Sequence, residues 1–220
     1  MQRILEQAGT RLPDAEPAKS LVARLAYAAG DLSIIERVSM SDGAVEAAVA
    51  SLGRGASIVV DVGMVAAGLS KDRLQALGCS LHVAVSEEGA AELARSERIT
   101  RTAAGMLLLG GRLDGAVVAV GNAPTALLAL LDLVAAGIAR PAVVIGMPVG
   151  FVAATESKAA LATSDVPYVL IHGTRGGSAL AAATLNHCLR LASQPGSHRN
   201  GEAAVLSARR GSSRDDGQRA

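Results

Sequence analysis

Arg24 and Tyr27 stand three residues apart in ARLAYAAGDLS (23–33), a spacing that puts both on one face of a helix. Together they offer a guanidinium to an anion and a phenol that can donate a hydrogen bond. The plainer alternative is an ordinary pair of surface groups. A second arginine, Arg101, opens a helix in ITRTAAGM (99–106) behind Thr100. The helix dipole disfavours a cation there, so an anionic partner is expected, either a ligand or nearby Glu97. GNAPTALLALLDLV (121–134) follows an apolar run and starts a helix, with Asn122 placed to bond its neighbouring backbone and Pro124 suited to the first turn. Free N–H groups at such a start form an anion site, and an ordinary capped turn reads equally well. HGTRGGSALAAATLNH (172–187) sets Arg175 between glycines ahead of a helix of small residues. That pattern suits a concave anion nest as well as close helix packing. GMPVGFVAATESK (146–158) reads as a strand end, a loop, and a solvated helix start carrying Glu156, Ser157 and Lys158.

Other chemistries lack their residues. His82, His172, His187 and His198 have no metal spacing, and only His172, beside a glycine corner, draws notice. Cys79 and Cys188 follow no metal or redox pattern, so free thiols in a reducing compartment are expected. There is no G-x-G-x-x-G after a strand, Walker loop, H-E-x-x-H or G-x-S-x-G. No metal site is expected.

The elements that must position these groups are legible as alternation. SIVVDVG (57–63), SLHVAV (80–85), AVVAVG (116–121), AVVIGM (142–147) and PYVLIHG (167–173) are short β-branched runs, read as buried parallel strands. Helical stretches at 18–29, 43–53, 86–97, 123–137 and 177–192 alternate with them. The pattern predicts an α/β fold: a single domain with a mainly parallel β-sheet and helices on both faces. Gly63, Gly121, Gly146, Gly150 and Gly173 follow the strands. Ligands of open α/β sheets bind beyond those carboxyl ends. The domain is expected over 1–193. Residues 194–220, rich in Gly, Ser and Arg, are expected to form a disordered tail.

Composition narrows the partners. Of 220 residues 50% are hydrophobic, enough for a sizeable core, and only three (Tyr27, Phe151 and Tyr168) are aromatic. Stacking-based nucleic-acid recognition needs more aromatic platforms than that. A net charge of +1 gives no overall field toward nucleic acid or membrane. The N-terminal MQRILEQAGTRL has no apolar signal region, and no apolar run reaches the roughly 18 residues of a membrane span. A cytoplasmic protein is expected.

GNAPTAL (121–127), PVGFV (148–152) with ESK (156–158), and RGGSA (175–179) with Asn186 occur in order. With Asp61, Met64, Val65, Ala67, Gly68 and Thr100–Arg101, they resemble the precorrin-8X methylmutase family of cobalamin biosynthesis, from about residue 20 to 190. The resemblance implies a homodimeric α/β isomerase. It would move a methyl group from C-11 to C-12 of precorrin-8X, or of cobalt-precorrin-8, to give hydrogenobyrinic or cobyrinic acid without a cofactor. It assigns Arg24 and Tyr27 to catalysis, and Ser70, Arg101, Asn122 and Arg175 to the tetrapyrrole substrate. In the family pattern a proton-donating histidine stands where this chain has Tyr27. A phenol is a weaker acid than an imidazolium by about 3.5 units. The family also carries an N-terminal serine-bearing segment, which aligns near Met1, so a shortened relative or an upstream start is expected. The alternative function is a catalytically impaired corrinoid-binding paralogue; a generic phosphate-binding α/β protein is a third reading. With so few aromatics, a macrocycle would be held by its carboxylate rim, through arginines and glycine-rich backbone.

Overall fold

The five apolar runs all form strands; four are buried between two helix-covered faces, and the fifth, at 81–83, is a half-buried edge. The computed structural model describes residues 2–194. The tail expected from residue 194 lies outside the described residues except for Gln194. In chain order the elements are α1 (Gln2–Ala8), α2 (Ala18–Ala29), β1 (Val38–Met40), α3 (Ala44–Gly53), β2 (Ile58–Val60), α4 (Gly63–Ala67), α5 (Lys71–Leu77) and β3 (Leu81–Val83). Then come α6 (Ala90–Glu97), α7 (Arg101–Leu109), β4 (Val117–Val120), α8 (Pro124–Ala135), β5 (Val143–Gly146), α9 (Ala154–Ala162), β6 (Tyr168–Ile171) and α10 (Ser178–Ala192). One sheet runs β1-β6-β5-β4-β2-β3.

Five strands are parallel, as the alternation with helices requires. The period of two in a strand divides each β-branched run between two cores. Ile58, Val60, Val117, Ala119, Val143 and Ile145 face α2, α3 and α10. Val59, Val118, Val120, Val144 and Leu170 face α7, α8 and α9. Burial on both faces is why no polar alternation appears in the four inner runs; the edge strand β3 carries His82 between Leu81 and Val83.

The sixth strand, β1, is antiparallel to β6, pairing Val38 with Ile171 and Met40 with Val169. Its three residues are only half-buried and carry no apolar run, so it exists through its pairing. Helix 86–97 starts later than expected, at Ala90, because Ala84–Ser86 forms a 3₁₀ turn instead.

α10 is the central helix of its face, with eleven of 15 residues buried. Its small side chains allow a close approach to β4: a Cβ on Gly121 would lie 2.8 Å from the Ser178 Cα. The small-residue run in 177–192 therefore does close packing.

Candidate functional site

α2 and α10 cross on the same face of the sheet, and α5 borders their junction. α2 buries Leu21, Val22, Ala23, Leu25 and Ala26, which leaves Lys19, Ser20, Arg24 and Tyr27 toward its polar side. Gly30, left-handed at φ 63°, ends the helix by donating to the Ala26 and Tyr27 carbonyls.

Between these helices opens a cavity of about 510 Å³. Lys19 and Arg24 of α2, Arg73 of α5 and Arg190 of α10 line it, against a single acid, Glu16. Ser20, Asn186 and His187 complete its polar wall. The His187 Nε2 lies 3.2 Å from the Ser20 Oγ. Burial, aided by Arg190 and Arg24 and opposed by Glu16, pulls the imidazole down to about 4. Asn186 accepts from the Ser70 backbone N–H at 2.9 Å and donates to the Gly68 carbonyl at 2.7 Å. It thereby ties the loop before α5 to α10. Four cations around one carboxylate make a site for a polyanion.

Of the residues expected from the sequence, Arg24 alone lines this cavity. Its guanidinium also sits over the Tyr27 ring, 5.2 Å from the centroid. Tyr27 is 55% exposed and borders an open depression with Gln2, Arg3, Ile4 and Glu6. Ser70 contributes through its N–H to Asn186. Arg101 is exposed at the start of α7 and makes no ion pair among the described residues, so Glu97 is not its partner. Thr100 caps that helix by accepting from the Ala103 N–H.

At both glycine corners the anion is supplied by the chain itself. The N–H groups that open α8 are not free: the wholly buried Asp61 accepts from Gly121 at 3.0 Å, Asn122 at 2.8 Å and Ala123 at 2.7 Å. The anion of that site is built into the chain, because β2 and β4 are neighbours and Asp61 directly follows β2. Asn122 itself is exposed. At the second corner Arg175 is ion-paired with Asp31 and donates to the Ser33 Oγ at 3.0 Å. The Ser33 N–H, Arg175 and the Ser33 hydroxyl hold the Asp31 carboxyl at about 2. Arg175 thus fastens its loop to the end of α2, and Gly177 donates to the Met147 carbonyl at 2.8 Å.

Lys158 departs from the solvated helix start expected at 156–158. The helix start at 156–158 is solvated only at Glu156; Ser157 and Lys158 are buried. The Lys158 Nζ donates to the Arg175 carbonyl at 2.7 Å. Burial pulls its ammonium down to about 8 from 10.5. Between these values the unfolded chain holds a proton that the folded chain has released. Stability therefore rises with pH across that window, by up to about 3 kcal/mol. Urea unfolding at pH 7.5 and pH 9 will show the rise, below the range where the raised Cys188 thiol acts in the opposite sense, and Lys158→Met will abolish it; a rise that survives the substitution assigns it to another group.

Among the histidines, His172 is exposed with only its backbone engaged, to the Arg37 carbonyl. His82 lies on the edge strand, 3.8 Å from Glu87. His187, not His172, faces the cavity. Cys79 and Cys188 are free thiols, and burial pushes Cys188 up to about 12. Lys19, Ser20, Arg73, Asn186, His187 and Arg190 were not singled out from the sequence as cavity residues. The four-residue spacings Ser20–Arg24 and Asn186–Arg190 mark two polar helix faces. Nothing local joins Arg73 to them.

The family model described as precorrin-8X methylmutase matches residues 1–191. The chain belongs to that family. Precorrin-8X methylmutase of Pseudomonas aeruginosa is 42% identical over 173 residues, 76% of this chain and 81% of that protein. Cobalt-precorrin-8 methylmutase of Priestia megaterium is 35% identical over 185 residues, 84% of this chain and 82% of that one. The crystal structure of the Thermus thermophilus precorrin-8X methylmutase superposes with a TM-score of 0.77 at 38% identity, covering 87% of this chain and 94% of that one. The precorrin-8X methylmutase family is one of isomerases that shift a methyl group in cobalamin biosynthesis, and this chain is such an isomerase. The impaired-paralogue reading is not favoured. Among the described residues no helix is long and apolar enough to cross a membrane.

Proposed function

We propose that this methylmutase seats precorrin-8X with part of its carboxylate rim in the cavity between α2, α5 and α10. The observation that carries the reading is the cavity wall itself: Lys19, Arg24, Arg73 and Arg190 against one acid. A substrate with many carboxylates and few aromatic platforms to rest on needs such a rim of cations. Arg24 holds a carboxylate bidentately. Tyr27, with Arg24 over its ring, donates a hydrogen bond or a proton to the macrocycle. The C-11–methyl bond breaks and the C-12–methyl bond forms within one molecule. A proton lent to the ring is returned at the end, so atoms and electrons balance without an external carrier. The product is hydrogenobyrinic acid.

Identity supports the cobalt-free substrate: 42% to two relatives named for precorrin-8X, against 31–38% to those named for cobalt-precorrin-8. Arg101 and Asn122, both exposed, contact parts of the macrocycle that the cavity does not enclose. Ser70 acts through Asn186, and Arg175 positions the end of α2 through Asp31. The enzyme works in the cytoplasm as a homodimer. Exposed Met64, Phe151 and Val152 (72%, 93% and 85%) support a subunit contact near the carboxyl ends of the strands.

Incubating the protein with precorrin-8X and following the absorption spectrum tests the reading. Conversion at enzyme rates is expected, and tight binding without conversion overturns the isomerase assignment for this site. Tyr27→Phe is expected to lower kcat by about 10²-fold or more if the phenol is the acid. A kcat within twofold of the parent removes that role.

A further inference from the structure

His187 is a buried titratable group that the proposed reaction does not use. It lies in the cavity wall on α10, 5% exposed, with Ser20 of α2 as its hydrogen-bond partner. A serine hydroxyl has one proton. Ser20 spends it on the Pro17 carbonyl, at 3.1 Å. With that proton on the Pro17 carbonyl, the Ser20 oxygen accepts at the 3.2 Å contact with His187, and Nε2 is then the atom that carries hydrogen. In the neutral ring the lone pair then resides on Nδ1. Nδ1 has no hydrogen-bond partner among the described residues.

Burial above all, with Arg190 and Arg24 adding to it and Glu16 opposing, holds the ring neutral while the cavity is empty. Arg24 and Lys19 face it from α2, Arg73 from α5 and Arg190 from its own helix, with Glu16 as the one opposing acid. A ligand carrying several carboxylates reverses this balance. It neutralises the guanidiniums that oppose a charge on the ring, and it adds negative charge of its own.

We propose that His187 is the proton acceptor of this cavity: arrival of the ligand's carboxylates charges the ring at Nδ1, so the enzyme takes up a proton as it binds its polycarboxylate macrocycle. The inference rests on the placement of the macrocycle rim in this cavity. The proton comes from solvent and no covalent bond to carbon changes. His187 then adds a fifth cation to the wall only when an anion is there to meet it. The empty cavity is spared that much self-repulsion. Binding is thereby coupled to pH, with tighter binding at lower pH above the range where the ligand's own carboxylates titrate.

Titration calorimetry with hydrogenobyrinic acid at pH 6.5, in two buffers of different ionisation enthalpy, tests this. Uptake approaching one proton per ligand is expected, with affinity rising toward tenfold per unit as pH falls from 7.5 to 6. His187→Gln keeps a donor for Ser20 and cannot charge; its uptake should fall close to zero and its affinity should lose the pH slope. Uptake that persists in His187→Gln assigns the proton to Glu16 or to the ligand and overturns the inference. Binding without uptake by the parent protein overturns it as well, while leaving the cavity assignment standing. No binding by the parent overturns both. Nitrogen-15 NMR of the histidines gives an independent reading. The free protein should show His187 as the Nε2–H tautomer, and the complex should show it as imidazolium. An Nδ1–H tautomer in the free protein would falsify the assignment.

Discussion

Replacing Arg24 with alanine will lower kcat/KM for precorrin-8X by about 10²-fold, with little change in stability. A hydrogen bond to a charged group is worth roughly 1.5–3 kcal/mol, and every 1.4 kcal/mol is a factor of ten. Arg24 also holds the Tyr27 ring, with its guanidinium 5.2 Å from the centroid. Removing it takes away one carboxylate clamp and loosens the phenol. The two losses separate in Arg24→Lys. Lysine keeps the charge but not the planar fork, so binding should recover in part while the Tyr27 contribution to kcat stays low. Stability should move by less than about 1 kcal/mol in either variant, because a partly exposed cation–π contact is worth about that. Steady-state kinetics beside thermal unfolding decides the matter. A kcat/KM within twofold of the parent would place the macrocycle elsewhere.

Asp61→Ala will cost the fold about 3–5 kcal/mol. The carboxylate is 0% exposed and satisfies three backbone donors at 2.7–3.0 Å, those of Gly121, Asn122 and Ala123. Alanine strands these N–H groups in the interior, and each buried donor left unmet costs about 1–3 kcal/mol. Water entering the vacated space offsets part of the loss. Asp61→Asn should cost less, about 2 kcal/mol, because its amide oxygen still accepts while its NH₂ meets donors. Urea unfolding followed by circular dichroism will rank the parent, Asn and Ala proteins in that order. Equal stability of the Ala protein and the parent would mean that these N–H groups find solvent unaided.

Asp61 shows where sequence reading stops. Asp61 within the apolar run at 57–63 and a helix opening at 124 were both visible, and the helix start read equally well as an anion site or an ordinary capped turn. Its N–H groups are taken by a carboxylate of the chain itself. The two segments are 60 positions apart, and only the neighbouring of β2 and β4 in the sheet joins them. Arg175 repeats the lesson, because its partner Asp31 lies 144 positions away. Lys158 repeats it again. A lysine at a helix start is ordinarily solvated, and here the loop after β6 covers it and accepts its hydrogen bond.

By itself the sequence determined the alternation of parallel strands and helices, the two-sided core and the family motifs, and it singled out Arg24, which lines the cavity. These are local properties. Strand and helix periodicities are written into consecutive residues, and a motif keeps its spacing along the chain. The tertiary structure decided the edge strand β1 and the fate of the glycine corners. It also decided the cavity in which Arg24, Arg73, His187 and Arg190 meet. Those four come from three helices far apart in the chain. They converge because α2 and α10 cross on one face of the sheet, and no local pattern records a crossing.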